Sequence, residues 1–307
     1  VLRLLDAPAF FALLRQPLPD GHQRILEGLA DNALVRPCPA GGWDITNLGA
    51  VLLAHRLADF PGLGRKAVRL IVYPGVTRIE TEREVDEPRG YALCLDDMVR
   101  RLVALLPSRE VLDGAFQRPR PDYPEPALRE LVANALIHQD FTVTGAGPMV
   151  EVFGARVEVT NPGEPLVPTD RFLDSPPRSR NDALAAMMRR LDLCEERGSG
   201  IDKVLLHVEA SHLPAPAFQV PPGFTRVVLF GPRPLTGMAR PERIQVCYWH
   251  ASLRHLHGEA LTNASLRERF GMDDASRSLI SRYIREAVDA GVIRALDPDA
   301  GPKHMRY

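Results

Sequence analysis

Residues 128–140, LRELVANALIHQD, predict a helix with one polar face. Glu130, Asn134 and His138 are spaced four residues apart, so in a helix their side chains point the same way, one turn apart. The residues that flank them are apolar and would bury against a sheet. Two interpretations stay open for this polar stripe. It faces water on a half-exposed helix, or it faces a polar ligand, because burying an unpaired polar group is costly.

The composition is that of a soluble globular protein. The chain has 307 residues, of which 45% are hydrophobic and 25% charged, enough for two or three domains. No apolar run reaches the roughly 20 residues that a membrane helix needs, and no signal-peptide pattern is present. The four cysteines lie far apart, which predicts free thiols, a cytoplasmic protein and no structural zinc. Because the chain begins at Val1 and not at Met, we expect an upstream segment.

Residues 1–65 predict an N-terminal winged-helix-like unit. Its pattern is helix, helix, two-stranded wing, helix. The predicted elements are helices over Ala7–Gln16, about 21–32 and Leu48–Leu57, and strands over Leu34–Pro37 and Trp43–Thr46. A packing module without DNA contact is the alternative.

Residues 66–232 predict a central domain in which strands and helices are mixed, an α+β fold. Its strands are predicted at Ala67–Tyr73, Val76–Glu84, Met149–Phe153, Arg156–Thr160, Phe218–Val220 and Thr225–Phe230. Its helices are predicted at Tyr91–Leu106, about Arg109–Phe116, about 125–138, Ala183–Leu191 and about 201–210.

A linker at 233–240 leads to a predicted C-terminal winged helix, 241–307. Its helices are expected at Glu242–His257, Ser265–Phe270 and Ser276–Ala290, followed by a strand at Val292–Leu296 and a hairpin to Tyr307. The basic residues that would face DNA phosphates are Arg277, Arg282 and Arg285 on the third helix and Lys303 and Arg306 on the wing. Residues 240–307 carry eleven basic and nine acidic side chains, so a DNA role rests on local pattern. Dimerisation or docking is the alternative.

Three short motifs follow one another in the central domain. The polar helix offers E-x-x-x-N, a strand end offers Asn161-Pro-Gly163, and a later helix opens at Gly198-Ser-Gly-Ile201. Each motif alone is weak, because glycines before helices are most often plain turns. Their order, with the arginine-bearing stretch 176–181 between the last two, favours a nucleotide site.

Each motif has a role to play at a nucleotide. Asn134 offers an amide oxygen to Mg²⁺ at the phosphates, and Glu130 one turn earlier is placed to polarise a water. Gly198 and Gly200 allow close approach of the backbone to phosphate at a helix N-terminus. Asn161 is able to read an adenine edge.

With these motifs, residues 128–230 resemble the GHKL (Bergerat-fold) ATP-binding domain of gyrase, Hsp90, MutL and histidine kinases. The sequence is most similar to the divergent branch in bacterial Schlafen/AlbA-type proteins, often labelled RecG-related transcriptional regulators. The resemblance implies a central α/β sandwich, with a mixed, largely antiparallel sheet and helices on one face, flanked by winged-helix-like units. It also implies an AlbA-like domain upstream, whose absence would remove any nuclease or main DNA-binding activity that it supplies.

The resemblance also implies roles for individual residues. Glu130 matches the general base and Asn134 the Mg²⁺ ligand, while Asn161 and Gly163 stand where the family has its adenine-binding D-x-G, with asparagine replacing the aspartate. Residues 164–197 match the ATP lid. The remaining candidates are Arg178, Arg180 and Asn181 for phosphate, Gly198, Ser199, Gly200 and Ile201 as the second glycine box, and Thr225 beside the adenine. His138 has no assigned chemistry.

The function expected from these patterns is Mg-ATP binding with slow or no hydrolysis, coupled to double-stranded DNA binding or transcriptional regulation. A non-hydrolysing nucleotide sensor that acts through protein contacts or homodimerisation is the alternative. The chain contains no G-x-x-x-x-G-K-[S/T] motif, which argues against a P-loop helicase.

Overall fold

A computed structural model describes residues 1–113, 116–176, 178–194, 200–301 and 305–307 of the chain. Its helices are α1 (Ala7–Leu13), α2 (His22–Ala30), α3 (Asn47–Leu53), α4 (Tyr91–Leu105), α5 (Glu125–His138), α6 (Asp182–Arg190), α7 (Gly200–Ala210), α8 (Arg240–Leu256), α9 (Asn263–Arg269) and α10 (Arg277–Asp289). Its strands are β1 (Val35–Pro37), β2 (Trp43–Ile45), β3 (Val68–Val72), β4 (Arg83–Glu87), β5 (Ser108–Asp113), β6 (Phe116–Pro121), β7 (Met149–Phe153), β8 (Arg156–Pro162), β9 (Ala217–Gln219) and β10 (Phe224–Phe230).

The central element is a sheet in the order β4-β3-β7-β8-β10-β9. Only the β3–β7 pair is parallel within this sheet, and the other four pairs are antiparallel. The α+β class and the mixed, largely antiparallel sheet are therefore as predicted. In the register of β8 against β10, Asn161 lies opposite Thr225.

The helices cover one face of this sheet. Helix α5 packs between α4 and α7 and against β8. Leu128, Leu136 and the inward residues Val150 and Val159 belong to one continuous apolar core. The alternate residues of β7 and β8 point to the opposite face, as the period of two requires.

The opposite face carries two buried carboxylates, Glu151 and Glu158, which are cross-strand neighbours. Arg78 donates to both, at 2.5 Å from Nε to Glu151 and 2.7 Å from Nη2 to Glu158. A buried charge requires a partner of this kind. The pairing explains one difference from the prediction, since Arg78 lies in a loop that covers the sheet and β4 begins only at Arg83.

The prediction of a helix at Arg109–Phe116 is wrong. The backbone there forms the hairpin β5–β6, with Ser108 opposite Pro121 and Asp113 opposite Phe116. A stretch of about seven residues is too short for its apolar spacing to separate a helix from a strand, so pairing with the following segment decides.

The N-terminal elements occur in the predicted order, with α1 and α3 shorter than expected. Helix α3 begins at Asn47. Its first turn is capped by Thr46, whose hydroxyl accepts from the backbone N–H of Gly49 at 3.0 Å.

Helices α8, α9 and α10 pack around a second apolar core that includes Trp249, Leu266 and Ile280. The strand predicted at Val292–Leu296 is not formed. The N–H of Leu296 nevertheless donates to the carbonyl of Arg306 at 2.9 Å, which joins the two arms of the predicted hairpin, and Tyr307 exchanges two backbone hydrogen bonds with Leu261 at 3.0 Å. The chain end therefore pairs with the segment before α9.

None of the described helices is long and apolar enough to cross a membrane. Cys38, Cys94 and Cys247 are free thiols, as expected.

Candidate functional site

A cavity of about 400 Å³ opens between α5, the β8–β10 strand pair, the segment 164–180 and the start of α7. This volume lies within the range of small-molecule sites, ~300–1,000 Å³. The residues of the sequence prediction that line it are Glu130, Asn134, Asn161, Arg178, Arg180, Gly200, Ile201 and Thr225. The polar face of α5 is therefore turned to this cavity, where its side chains are partly buried.

On α5, the side chains of Glu130 and Asn134 interact directly. Asn134 donates from Nδ2 to Glu130 Oε1 at 3.1 Å. An amide has two donors on its nitrogen and an acceptor on its oxygen. The hydrogen bond fixes the amide nitrogen toward Glu130, so Asn134 Oδ1 is the atom left to accept from, or ligate, a group in the cavity.

Gly200 begins α7 directly against Glu130. A Cβ atom at position 200 would overlap Glu130 Oε1, so glycine is required for this approach. The first N–H groups of a helix have no partner within the helix and carry partial positive charge. The start of α7 therefore meets the Glu130 carboxylate at the cavity wall. Gly198 and Ser199 lie outside the described residues.

At the other end of the cavity, Asn161 and Thr225 face each other across β8 and β10. Asn161 is buried, and its Nδ2 donates to the carbonyl of Pro162 at 3.0 Å. This bond orients the amide so that Oδ1 is its acceptor. Thr225 donates from its hydroxyl to the carbonyl of Gly163 at 2.7 Å.

Gly163 has a packing role in the structure. Its φ of +98° lies in the left-handed region, and a Cβ there would come within 2.9 Å of Asp140 Cβ. The backbone N–H of Asp140 donates to the carbonyl of Pro162 at 2.8 Å. Glycine thus allows the end of β8 to lie against the residues that follow α5, and it does not itself line the cavity.

The three predicted phosphate-binding residues of the lid occupy different environments. Arg178 is exposed and lines the cavity. Arg180 also lines it, but its guanidinium donates to Asp140 Oδ2 at 3.2 Å and to the carbonyl of Glu164 at 2.8 Å. Asn181 does not line it, because its Nδ2 donates to the carbonyls of Ile137 and Gln139 at 2.7 and 2.8 Å and so closes the C-terminus of α5.

The structure adds cavity residues that the sequence analysis left without a role. His138 lines the cavity two turns after Glu130, and burial, followed by the positive charge of Arg180, lowers its pKa. Arg189 and Asp182 line it from α6. Arg189 shares one face of that helix with Ala185, which also lines the cavity, but spacing alone gives no signal for either residue.

The expected lid divides into two parts. Helix α6 lies within residues 164–197, yet its Leu184 and Met188 belong to the main core. Among the described residues, 164–176 and 178–180 cross the cavity without α-helix or strand, and Cys194, which follows α6, also lines it.

The segment 164–180 and helix α7 both contact the C-terminal helices. Tyr248 of α8 donates to the carbonyl of Asp170 at 2.6 Å. Phe172 packs edge-on against Phe218, and Phe218 against Trp249, with centroid distances of 5.3 and 5.5 Å. The segment 164–180, which covers the cavity, therefore contacts α8 through one hydrogen bond and through a row of packed aromatic rings.

Helix α7 reaches α8 and α9 at its far end through Glu209. Glu209 lies 2.9 Å from His250 Nδ1 and 3.4 Å from Arg269 Nε, the latter an ion pair without hydrogen-bond geometry. Arg269 is buried and donates to the carbonyl of Val246 at 3.1 Å. One helix thus begins at the cavity and ends in a buried polar cluster of the C-terminal helices.

The arginines predicted to contact DNA are exposed on α10. Arg282 and Arg285 lie on the face away from the buried residues of that helix, Arg277 is exposed at its first position, and Arg306 is exposed as well. Arg277 pairs with Asp274 at 3.0 Å. Lys303 lies outside the described residues.

Comparison with known proteins identifies part of the chain. Residues 145–229 match the family model HATPase_c_4, described as "Putative ATP-dependent DNA helicase recG C-terminal". This range spans β7 to β10 and leaves out α5. No curated protein matches the sequence.

Among solved structures, the chain is similar to the DIP2311 protein from Corynebacterium diphtheriae, with a TM-score of 0.61 and 20% identity. The match covers 97% of this chain and 61% of that protein, so the chain spans less than two thirds of its length. At this identity, the likeness describes a shared fold. The family match supports an ATPase-like domain in this part of the chain.

Proposed function

We propose that this chain binds Mg-ATP in the cavity beside α5, in the manner of a GHKL domain, and hydrolyses it slowly or not at all. The observation that carries the proposal is the meeting of Glu130, Asn134 and Gly200 at one wall. A carboxylate, an oriented amide and a helix N-terminus are the groups that a metal-bound triphosphate requires.

In this proposal, Asn134 Oδ1 is the protein ligand of the metal, because Nδ2 is held by Glu130. The Mg²⁺ ion, when bound, neutralises charge on the phosphates. The N–H groups at the start of α7 receive phosphate oxygens. Glu130 orients and accepts a proton from the attacking water, and Arg178 and Arg189 add positive charge to the cavity rim.

The base is proposed to lie beside Asn161 and Thr225. Asn161 Oδ1 is held as an acceptor, and the exocyclic amine of adenine is a donor. Asparagine is therefore able to replace the family's aspartate for this contact, although it brings no charge.

The output is proposed to run through the C-terminal helices to DNA. The hydrogen bond from Tyr248 to Asp170, with the packing of Trp249 on Phe218 and of Phe218 on Phe172, gives the nucleotide one route to α8. The contact of Glu209 with Arg269 gives a second route, to α9. Addition of Mg-ATP should then change amide-exchange protection in α8. Unchanged protection in the presence of saturating nucleotide would contradict this coupling.

The rival function is a non-hydrolysing sensor whose output is a protein contact or a homodimer. One observation favours it: the strand expected at Val292–Leu296, which would build the DNA-binding wing, is not formed. The two functions share the nucleotide site and differ in turnover and output.

Glu130→Gln and Asn134→Ala test the proposal, with Glu125→Gln as the matched control, since Glu125 is exposed on the same helix. Titration calorimetry with Mg-ATP and a phosphate-release assay are the measurements. If the chain is an ATPase, the Glu130→Gln variant should bind Mg-ATP with the affinity of the wild type and lose turnover. The Asn134→Ala variant should lose the magnesium-dependent part of the affinity for ATP. Turnover that is equal in wild type and Glu130→Gln supports the sensor. A wild-type chain that fails to bind Mg-ATP overturns both.

A further inference from the structure

His138 lies on the face of α5 that lines the cavity. It is partly buried, lines the cavity, and forms no hydrogen bond with any residue that the structure describes. Its ring is open to the cavity, and a ligand that fills the cavity has to offer it a partner, because a polar group that loses water without gaining a hydrogen bond costs free energy. The other cavity-facing polar residues of α5, Glu130 and Asn134, are hydrogen-bonded to each other.

The position of His138 along the helix identifies the end of the cavity that it faces. At 1.5 Å of rise per residue, it lies about 12 Å from Glu130 along the axis of α5. Glu130 contacts Gly200 at the start of α7, which is the proposed phosphate end. Beyond His138, the N–H of Asp140 is bonded to the carbonyl of Pro162, next to Asn161. His138 is therefore at the end where Asn161 and Thr225 lie.

The charge state of the ring agrees with this location. Burial and the nearby Arg180 both lower the pKa of His138, so the imidazole is neutral at neutral pH. A neutral imidazole has one donor and one acceptor nitrogen and suits hydroxyls and ring nitrogens. Phosphate oxygens are better served by the arginines, and Asp140 and Asp182 are the acids at this end.

We propose that His138 is a specificity-determining residue, which hydrogen-bonds the nucleoside half of the bound nucleotide. This inference rests on the proposed nucleotide site and adds a contact to base or sugar that the E-x-x-x-N motif does not supply.

The test compares the whole nucleotide with its nucleoside half and with its phosphate half. Affinities for Mg-ATP, adenosine and inorganic tripolyphosphate are measured by calorimetry or competition for the wild type, His138→Leu and His138→Gln. A hydrogen bond contributes ~0.5–1.5 kcal/mol, or roughly 3- to 10-fold in affinity. His138→Leu should weaken ATP and adenosine by the same factor in that range and leave tripolyphosphate unchanged. His138→Gln, which keeps a donor and an acceptor, should recover most of the loss.

His255→Leu is the matched control, because it removes an exposed imidazole on α8 away from the cavity. If His138→Leu does not fold, His138→Asn provides the same comparison with a shorter polar side chain, and the same selective loss is expected. Adenosine binding that is unchanged in these variants, or tripolyphosphate binding that falls, overturns the inference while the nucleotide site stands. Failure of the wild-type chain to bind ATP would instead remove the proposed function, and this inference with it.

Discussion

The carboxylate of Glu130 lies against the α-carbon of Gly200, so closely that no side chain fits at position 200 without moving it. The two residues are far apart in sequence and belong to different helices, α5 and α7. Their contact sets where a carboxylate and a helix N-terminus meet. It also makes the position of Glu130 sensitive to the smallest substitution on the neighbouring helix.

Gly200→Ala should therefore displace Glu130 with little loss of stability, because the methyl group meets the mobile end of a side chain. We expect ATP turnover, where the wild type shows it, to fall by about 10-fold or more, since catalytic groups must be placed within ~0.5 Å. Phosphate release and thermal unfolding are the measurements. Gly237→Ala is the control, since its added Cβ would make only ordinary contacts. Unchanged turnover in Gly200→Ala would show that Glu130 does not act from this position.

Base selectivity provides a separate prediction at Asn161. Its Oδ1 is oriented as an acceptor by the bond from Nδ2 to Pro162, so it should receive the amine of ATP and oppose the carbonyl oxygen of GTP. A mismatched buried polar pair costs ~1–3 kcal/mol, so GTP should bind roughly 5- to 150-fold more weakly than ATP. Asn161→Ala should remove this preference. Competition titration of the two nucleotides measures it, and equal affinities in the wild type would exclude Asn161 as the base-reading group.

The sequence predicted those parts of the fold and site whose information is local. Helix α5 has a long apolar pattern, and Glu130 and Asn134 share one of its faces, so both the helix and the pair could be inferred from spacing alone. The strands β7 and β8 flank a two-residue turn and were equally clear. The hairpin β5–β6 was missed because its formation depends on a partner segment, and its own residues fit either period.

Other site features depended on tertiary contacts that spacing does not encode. Asn181 was placed near phosphate by its arginine-rich neighbours, whereas it binds the last carbonyls of α5. Arg189 lines the cavity because the apolar side of α6 packs into the core and leaves Arg189 on the cavity side. The packing of Gly163 against Asp140 likewise joins two distant segments.

DNA binding by α10 predicts a defined salt dependence. Replacing Arg277, Arg282 and Arg285 by alanine should weaken binding to duplexes of any sequence and reduce the slope of log affinity against log salt by up to about 2.7, at ~0.9 per phosphate contact. A triple alanine variant at three exposed arginines of the central domain, Arg83, Arg100 and Arg171, removes the same charge as a control. Fluorescence anisotropy at several salt concentrations measures both. If the two triple variants lose affinity equally, α10 is not the DNA-binding element.

The cluster of Glu209, His250 and Arg269 predicts that the free energy of unfolding depends on pH. The mutation Arg269→Met is predicted to reverse the sign of this dependence. Burial by itself would raise the pKa of Glu209, but Arg269 and then His250 outweigh it and hold the pKa below 4.5. A carboxyl whose pKa is depressed in the folded state stabilises that state fully above its unfolded pKa. This contribution is lost as the pH falls through the folded pKa.

In Arg269→Met the strongest of the charges that lower the pKa of Glu209 is removed, so we expect burial to outweigh the remaining contacts with His250 and Arg254 and to raise that pKa. The folded state then prefers the protonated acid, so the variant should gain unfolding free energy as the pH falls from 7 toward 4.5. At pH 7 the largely buried Glu209 carboxylate, which keeps His250 but loses its arginine partner, should cost up to about 3–5 kcal/mol, and the difference from wild type should shrink toward pH 4. Urea unfolding across this pH range measures both curves. Arg277→Met, which breaks an exposed pair, should change stability by less than about 1 kcal/mol at any pH. Adding Glu209→Gln to Arg269→Met should abolish the pH dependence of the difference, and its persistence would mean that another group titrates.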